Sequence, residues 1–231
     1  MGILEPCLAA SLCEATGVLP PPVTNPGKII CIGLNYRSHA EEAGSEPPET
    51  PTFFAKFPNA LVGDGATVEL PTDKVDYEAE VAFVIGSTAK NVQEADAIDH
   101  IAGYTLLNDL SARDRQFATP QWIPGKVFDG AAPCGPALVT PEDAGPPDQI
   151  GIELRLNGEL RQSATTADLI HSIPALVAHL SSLMTLEPGD LVSTGTPAGV
   201  GSLRKPRSYL RPGDTVEISS PQLGTLTTHL A

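Results

Sequence analysis

Glu78-Ala79-Glu80, with Asp76 two residues ahead, places carboxylates at alternate positions of the run Val75-Asp76-Tyr77-Glu78-Ala79-Glu80-Val81-Ala82-Phe83-Val84-Ile85-Gly86. Alternate residues of an extended strand share a face, so Asp76, Glu78 and Glu80 point one way and Tyr77, Ala79 and Val81 the other. Like charges this close, running into an apolar stretch, need a proton or a cation beside them, because an ionised carboxylate out of water is costly alone. An isolated Glu-x-Glu is most often a solvated strand face. Here a further carboxylate, Asp109, follows the apolar stretch Ile101 to Leu107, in Asn108-Asp109-Leu110-Ser111-Ala112-Arg113-Asp114. Two oxygen ligands from one strand and one from another leave coordination positions open to water and substrate, as Mg2+ requires. Cysteine and histidine are absent from zinc spacing, which argues against a soft-ligand site.

The elements that must hold these groups can be read along the chain. Residues 1–27 contain Pro20, Pro21, Pro22 and Pro26 and read as a short N-terminal arm; residues 28–231 read as one catalytic domain. Lys28 to Gly33 is a buried strand. Leu34 to Glu42 is a polar, partly helical piece ending at Gly44, and the proline-rich loop Pro47 to Pro51 follows it, the pattern of a mobile lid. Further strands are expected at Thr52 to Phe57 and Ala66 to Leu70, helix from Asn91 to Ile101, and a polar helix start from Ser111 to Phe117. Asn157-Gly158 between two alternating segments is a hairpin signal. Ala167 to Leu183 is the best amphipathic helix, with Pro174 either kinking it or marking its true start. Pro-Gly-Asp turns at 188–190 and 212–214 separate short strands at Leu191 to Thr194 and Thr215 to Ser219, and a last strand runs from Gly224. Many short strands and few helices predict a mainly β fold (α+β), a sandwich or barrel-like roll.

The 231 residues carry 14 Lys+Arg against 28 Asp+Glu, a net charge of −14. That balance argues against nucleic acid as a partner, since nothing is available to displace phosphate counterions. An acidic substrate would have to be captured by local cations, the metal, Arg113, Arg115 or Lys126. The four cysteines, Cys7, Cys13, Cys31 and Cys134, have no framework spacing and read as reduced thiols of a cytoplasmic protein. No apolar segment reaches membrane-spanning length, and Met1 to Thr16 contains Glu5 and Glu14 without a positive leader, so neither a membrane nor a signal peptide is expected.

Five segments in order resemble the fumarylacetoacetate hydrolase family: Gly33-Leu34-Asn35-Tyr36-x-x-His39, Tyr77-Glu78-Ala79-Glu80, Asn108-Asp109-x-Ser111-Ala112-Arg113-Asp114-x-Gln116, Gly125-Lys126-x-Phe128-Asp129, and Thr194-Gly195-Thr196-Pro197-x-Gly199-Val200-Gly201. The likeness runs from about Lys28 to the C-terminus and is greatest to the short bacterial and mitochondrial members, including an Arg204-Lys205-Pro206 insertion; longer bacterial members carry a larger N-terminal domain in place of the arm. The resemblance implies a mixed β-sandwich roll with a few short helices, usually a homodimer. It implies Mg2+ or Mn2+ on Glu78, Glu80 and Asp109, with Ca2+ able to take such a site in a crystal. It also implies a His39 and Glu42 dyad, and their spacing of three puts both on one helical face, where the carboxylate can fix the imidazole tautomer. Animal members add an aspartate ligand near the position of Asn35; a neutral amide here leaves that place to a water. By the same resemblance Lys126 faces the site as a cation for a substrate carboxylate or enolate oxygen, rather than snorkelling to the surface. Thr196 offers a hydroxyl or N–H to a carboxylate. Arg113 and Gln116 reach the substrate, unless Arg113 instead braces Asp114 or Glu78. His100, His171, His179 and His229 have no such context and are assigned to packing or surface.

The chemistry this implies lies beside a 2-oxo acid. Hydrolysis of the C–C bond of a 1,3-diketo acid of the acylpyruvate or fumarylpyruvate type is the first expectation, with Glu42 orienting His39 to deprotonate water and the metal stabilising the enolate. Oxaloacetate decarboxylation, or isomerisation of 2-hydroxyhepta-2,4-diene-1,7-dioate, would use the same site. A metal- or ligand-binding module without turnover is the rival from another class; retention of the carboxylates, His39, Glu42 and Lys126 together argues against it.

Overall fold

The structure, a computed structural model, describes residues 17–231. The signal-peptide reading of Met1 to Thr16, Cys7, Cys13 and most of the arm lie outside the described residues. Among the described residues fourteen strands run, in chain order, β1 Ile29–Gly33, β2 Thr52–Lys56, β3 Leu61–Val62, β4 Thr67–Val68, β5 Val75–Asp76, β6 Ala79–Ile85, β7 Ile101–Asn108, β8 Ser111–Ala112, β9 Ala132–Val139, β10 Gly151–Leu156, β11 Glu159–Thr165, β12 Leu191–Ser193, β13 Thr215–Ser220 and β14 Gly224–Leu230. The α-helices are short: α1 Arg37–Ala43, α2 Arg113–Gln116, α3 Pro141–Ala144 and α4 Ile173–Leu183. The fold is therefore mostly β, as expected.

A seven-stranded sheet in the order β2-β1-β12-β6-β7-β9-β3 curls against a five-stranded sheet, β11-β10-β13-β14-β4. The parallel pair β1 and β12 lies inside the larger sheet, with Ile29 opposite Leu191. Its central strands β1, β12 and β6 are buried on both faces, which is why they are almost continuously apolar rather than alternating. Ile30, Ile32, Val81, Phe83 and Ile85 join the main core toward the second sheet and α4. Ile29, Cys31, Ala82, Val84 and Leu107 form a smaller core on the other face. Glu80 and Asp109 continue the second set by the period of two, so the carboxylate site grows from the end of the smaller core.

The structure differs from the expected elements where side chains have better partners than the regular ladder. The strand expected from Val75 to Gly86 is interrupted: β5 pairs with β8, and β6 begins only at Ala79. At the break the Tyr77 hydroxyl donates to the Gly199 carbonyl (3.1 Å), and Asp76 turns to accept from Gly201 N–H, sharing only Arg113 with Glu78. The helix expected over Asn91 to Ile101 is a 3-10 turn, Glu94–His100, and that over Ser111 to Phe117 is a two-residue strand followed by α2. Helix α4 starts at Ile173, so Pro174 marks the start, with the Ser172 hydroxyl accepting from Ala175 N–H as the N-cap. The hairpin stands: Asn157 (φ 51) and Gly158 (φ 81) make the left-handed two-residue turn between β10 and β11.

Candidate active site

One cavity of about 520 Å3 takes in His39, Glu78, Glu80, Asp109, Lys126 and Thr196. Pairing of β6 with β7 explains the carboxylate cluster. Ala79 lies opposite Asn108, and Asp109 N–H donates to the Glu78 carbonyl (2.9 Å), so Asp109 leaves its strand beside the point where Glu78 and Glu80 enter theirs. One oxygen from each of the three carboxylates lies within 4.8 Å of the others, and all three side chains are buried.

Cations surround this cluster. Lys126, only 2% exposed, places Nζ 2.7 Å from Glu78 Oε2 and 2.7 Å from Asp109 Oδ2. A 3-10 turn, Ile123–Gly125, delivers it through its buried last residue: a Cβ on Gly125 would meet Gln116 N at 2.5 Å and Ala112 O at 2.6 Å, so only glycine lets that turn approach α2. Lys56 lies 2.7 Å from Asp109 Oδ1, yet its hydrogen bonds go to the carbonyls of Ala131 (2.6 Å) and Leu110 (3.2 Å). Asp109 Oδ1 is thus buried beside a charge without a directed hydrogen bond. Arg113 donates to Glu78 Oε1 (2.6 Å), Asp76 Oδ2 (3.0 Å) and Gln116 Oε1 (2.9 Å).

These contacts split the two glutamates. Burial raises the Glu78 carboxyl, but Arg113 and then Lys126 outweigh it and hold Glu78 well below the usual carboxylate range. Burial raises Glu80 as well, and there Asp109 and Glu78 add to the rise, leaving it well above its ordinary value. Glu80 Oε2 accepts from the Ser193 hydroxyl and from Gly195 N–H (3.1 Å). Burial would strip the proton from Lys126, but Asp109 and Glu78 hold the ammonium charged. The residues fit a hard divalent cation: three carboxylates converge, one oxygen lacks a directed donor, and an ammonium already bridges two of the three.

Across the cavity, α1 presents His39. Its Nδ1 lies 3.2 Å from Glu42 Oε2, which leaves Nε2 for the cavity. Glu42 also accepts from Gly199 N–H at 3.0 and 3.1 Å. The helix is closed onto the body, since Asp168 Oδ2 accepts from Ser38 N–H (3.1 Å) and Oγ (2.6 Å), and Arg37 donates to Leu169 O (2.7 Å). Gly199 sits at φ 110, and a Cβ there would run into the Arg161 carbonyl, so the turn that carries the Glu42 donor needs glycine.

The expected groups therefore meet, with differences of role. Arg113 and Gln116 reach the cavity but are bonded to each other, and Arg113 braces Asp76 and Glu78; Asp114 accepts from Thr72 instead (3.1 Å). Arg115 donates to Pro71 O (3.0 Å) outside the cavity wall, which corrects its place among the capturing cations. Asp76 is not a member of the carboxylate cluster: besides Arg113 it accepts from Gly201 N–H (2.8 Å) and Ser202 N–H (2.9 Å). Asn35 is fully bonded away from the cavity, donating to the carbonyls of Thr194 (2.9 Å) and His171 (3.1 Å) and accepting from His171 N–H (2.8 Å). Lys56, Ser193 and Gln162 were not singled out by sequence. Each is a polar residue at an inward position of a strand, and that was the signal available.

A family model described as fumarylacetoacetate (FAA) hydrolase, C-terminal, matches residues 28–231. The chain is 45% identical over 210 residues to oxaloacetate tautomerase fahd2, mitochondrial, of Xenopus laevis, covering 89% of this chain and 66% of that protein. It is 45% identical over 218 residues to oxaloacetate tautomerase YisK of Bacillus subtilis, covering 92% and 72%. Among solved structures, 5-carboxymethyl-2-hydroxymuconate delta-isomerase from Mycobacterium smegmatis is 38% identical with a TM-score of 0.82, over 92% of this chain and 79% of that one. The chain thus spans about two-thirds (66%) of the frog protein's length.

Proposed function

We propose that this chain, which belongs to the fumarylacetoacetate hydrolase family, is a metal-dependent enzyme that moves a proton beside the carbonyl of a 2-oxo acid, with keto–enol tautomerisation of oxaloacetate as its reaction. The observation that carries the proposal is the opening of His39, paired behind with Glu42, and of the carboxylate triad onto one cavity. The two relatives named oxaloacetate tautomerases support the choice of substrate.

Glu78, Glu80 and Asp109 would hold Mg2+ or Mn2+, a Lewis acid that favours the enolate over the keto acid. Glu42 takes the Nδ1–H of His39, which makes Nε2 the basic nitrogen. Nε2 removes a proton from carbon 3 of the keto acid; the electron pair of that C–H bond becomes the C2–C3 double bond, and the oxygen at carbon 2 receives a proton to give the enol. Lys126 and Thr196 bind the carboxylate end, and the closed α1 helix with Trp122 and Phe54 limits water.

Hydrolysis of a longer 1,3-diketo acid is the second reading, favoured by a cavity of about 520 Å3 whose wall includes Phe117, Trp122 and Leu203. That volume is in the range of sites for ligands much larger than a four-carbon acid. The homodimer implied by the family resemblance is part of the proposal and is tested by molar mass in solution.

The deciding experiment follows loss of the enol's ultraviolet absorbance from oxaloacetate with Mn2+, beside pyruvate release from oxaloacetate and from acetylpyruvate. EDTA and His39→Ala serve as controls. Accelerated tautomerisation abolished by both controls is expected. Pyruvate from acetylpyruvate without tautomerase activity replaces the proposal by hydrolysis, and pyruvate from oxaloacetate alone replaces it by decarboxylation. Mn2+ binding with no turnover anywhere would leave a binding module.

A further inference from the structure

Gln162 joins the two halves of the site. It is 2% exposed and is the one buried position of β11, pointing from the smaller sheet toward the larger. Its Oε1 accepts from Ala79 N–H (2.9 Å), the residue between Glu78 and Glu80. Its Nε2 donates to the Thr196 hydroxyl (2.8 Å) and to the Pro197 carbonyl (2.8 Å). This set admits one orientation of the amide. Rotating it by half a turn would set NH2 against the Ala79 N–H and oxygen against the Pro197 carbonyl, two like-polarity contacts in a buried place.

A fixed amide fixes the hydroxyl. Thr196 Oγ1 receives a proton from Gln162, so its own proton must point elsewhere, and no acceptor for it stands among the described residues. Thr196 is 4% exposed and lies on the cavity wall. We infer that Gln162 is a positioning residue that turns Thr196 into an obligate hydrogen-bond donor toward an anionic ligand in the cavity, the carboxylate or enolate oxygen of a 2-oxo acid. The inference rests on the proposed function for the identity of the ligand. It goes beyond that reading in assigning the polarity of one wall of the site to a residue outside it. The same amide, through Ala79 N–H, ties this donor to the backbone between two of the carboxylates, so donor and carboxylates keep their separation.

The test is a double-mutant cycle read by binding, with oxalate as the probe because it matches the chelating end of a 2-oxo acid. Titration calorimetry measures Mn2+ alone, then oxalate in the presence of Mn2+, for wild type, Thr196→Val, Thr196→Ser, Gln162→Glu and the Gln162→Glu/Thr196→Val double variant. A buried glutamic acid at 162 has one proton where the amide has two. With that proton on the Pro197 carbonyl, Thr196 must donate to residue 162 and no longer to the ligand.

Thr196→Val and Gln162→Glu should each weaken oxalate roughly ten- to a hundredfold, the range for a hydrogen bond to a charged group. Thr196→Ser should bind as wild type, Mn2+ affinity should be unchanged, and the double variant should be no worse than Thr196→Val. Wild-type oxalate affinity in folded Gln162→Glu, or a double variant showing the product of the two single losses, overturns the inference. Should Gln162→Glu not fold, Gln162→Met gives the same cycle: with the hydroxyl unheld, Thr196→Val must cost less in that background than in wild type, and an equal cost overturns the inference. Failure of the wild type to bind oxalate in the presence of bound Mn2+ overturns the proposed function first, which separates the two.

Discussion

Replacing Lys126 by methionine tests whether the ammonium and a divalent cation compete for one place. Nζ stands 2.7 Å from two carboxylates in a buried site. At that separation and an effective dielectric of about 20, each contact is worth about 6 kcal/mol before desolvation. Desolvation of both partners offsets most of this, and removing one member of a buried pair typically costs about 3–5 kcal/mol. For a chain of this size that lowers the melting temperature by about 6–20 °C. The prediction is that Lys126→Met loses this much in EDTA. In saturating Mn2+ the ion neutralises Glu78 and Asp109, and the loss falls below about 1.5 kcal/mol, the range for a volume-conserving core exchange. Denaturant unfolding with and without Mn2+ measures both, and Mn2+ should bind the variant more tightly than the wild type. Lys74→Met, on the same cavity wall but without a bonded partner for its ammonium among the described residues, should change neither value appreciably. Equal losses for Lys126→Met in EDTA and in Mn2+ would refute the argument.

Gly199→Ala should cost at least about 1–3 kcal/mol from backbone strain alone, and should lower turnover more than Mn2+ affinity, because the turn that donates to Glu42 must shift; an unchanged unfolding midpoint counts against the close approach to Arg161. Burial pushes the Cys134 thiol up to about 12. A raised acid stabilises the fold fully below its unfolded value and loses that contribution as pH rises toward the folded one, so between these values wild type should lose stability relative to Cys134→Ala; parallel pH profiles for the two proteins would contradict it. Cys31, buried and also raised, should with Cys134 resist iodoacetamide in the folded protein, while both alkylate in urea, as peptide mapping can read.

The site was legible where chemistry forces a pattern on the chain. Carboxylates two apart, followed by one more at the end of another apolar run, led to Glu78, Glu80 and Asp109, because three buried acids have few other uses. His39 and Glu42 came from the family resemblance, and the helical repeat agreed with their pairing. Partner choice was not legible. Period-two alternation placed Asp76 with the glutamates, but Arg113 and the N–H groups of Gly201 and Ser202 offer it a better-bonded place, and the strand breaks to reach it. For Arg113 the sequence left two roles open, binding substrate or bracing Asp114 or Glu78, and only the packed structure shows it on Glu78 and Asp76. Lys56 and Gln162 were missed for the same reason: each acts through strands far apart in sequence, and only the packed sheets bring their partners within reach. In the fold, the turn at Asn157 and Gly158 read well and Pro174 as a helix start was one of two readings, whereas the Ser172 cap came only with the structure and the stretch from Asn91 to Ile101 settled into a 3-10 turn against α4.

The parallel pairing of β1 with β12 has a consequence for how the protein is made. Ile29–Gly33 is synthesised well before its neighbour in the middle of the larger sheet, Leu191–Ser193, and Val68 waits as long for Leu230. Closing such long loops is slow, and the apolar strands β1, β6 and β7 are without their final cover meanwhile. Ser193 and Gly195, which hold Glu80, arrive with β12. Glu78 and Asp109 can meet Lys56, Arg113 and Lys126 before then, but Glu80 gains its donors only once β12 has been made. Slow translation, high temperature or destabilising changes late in the chain should then show first as aggregation of the nascent protein and only afterwards as loss of the mature enzyme's activity.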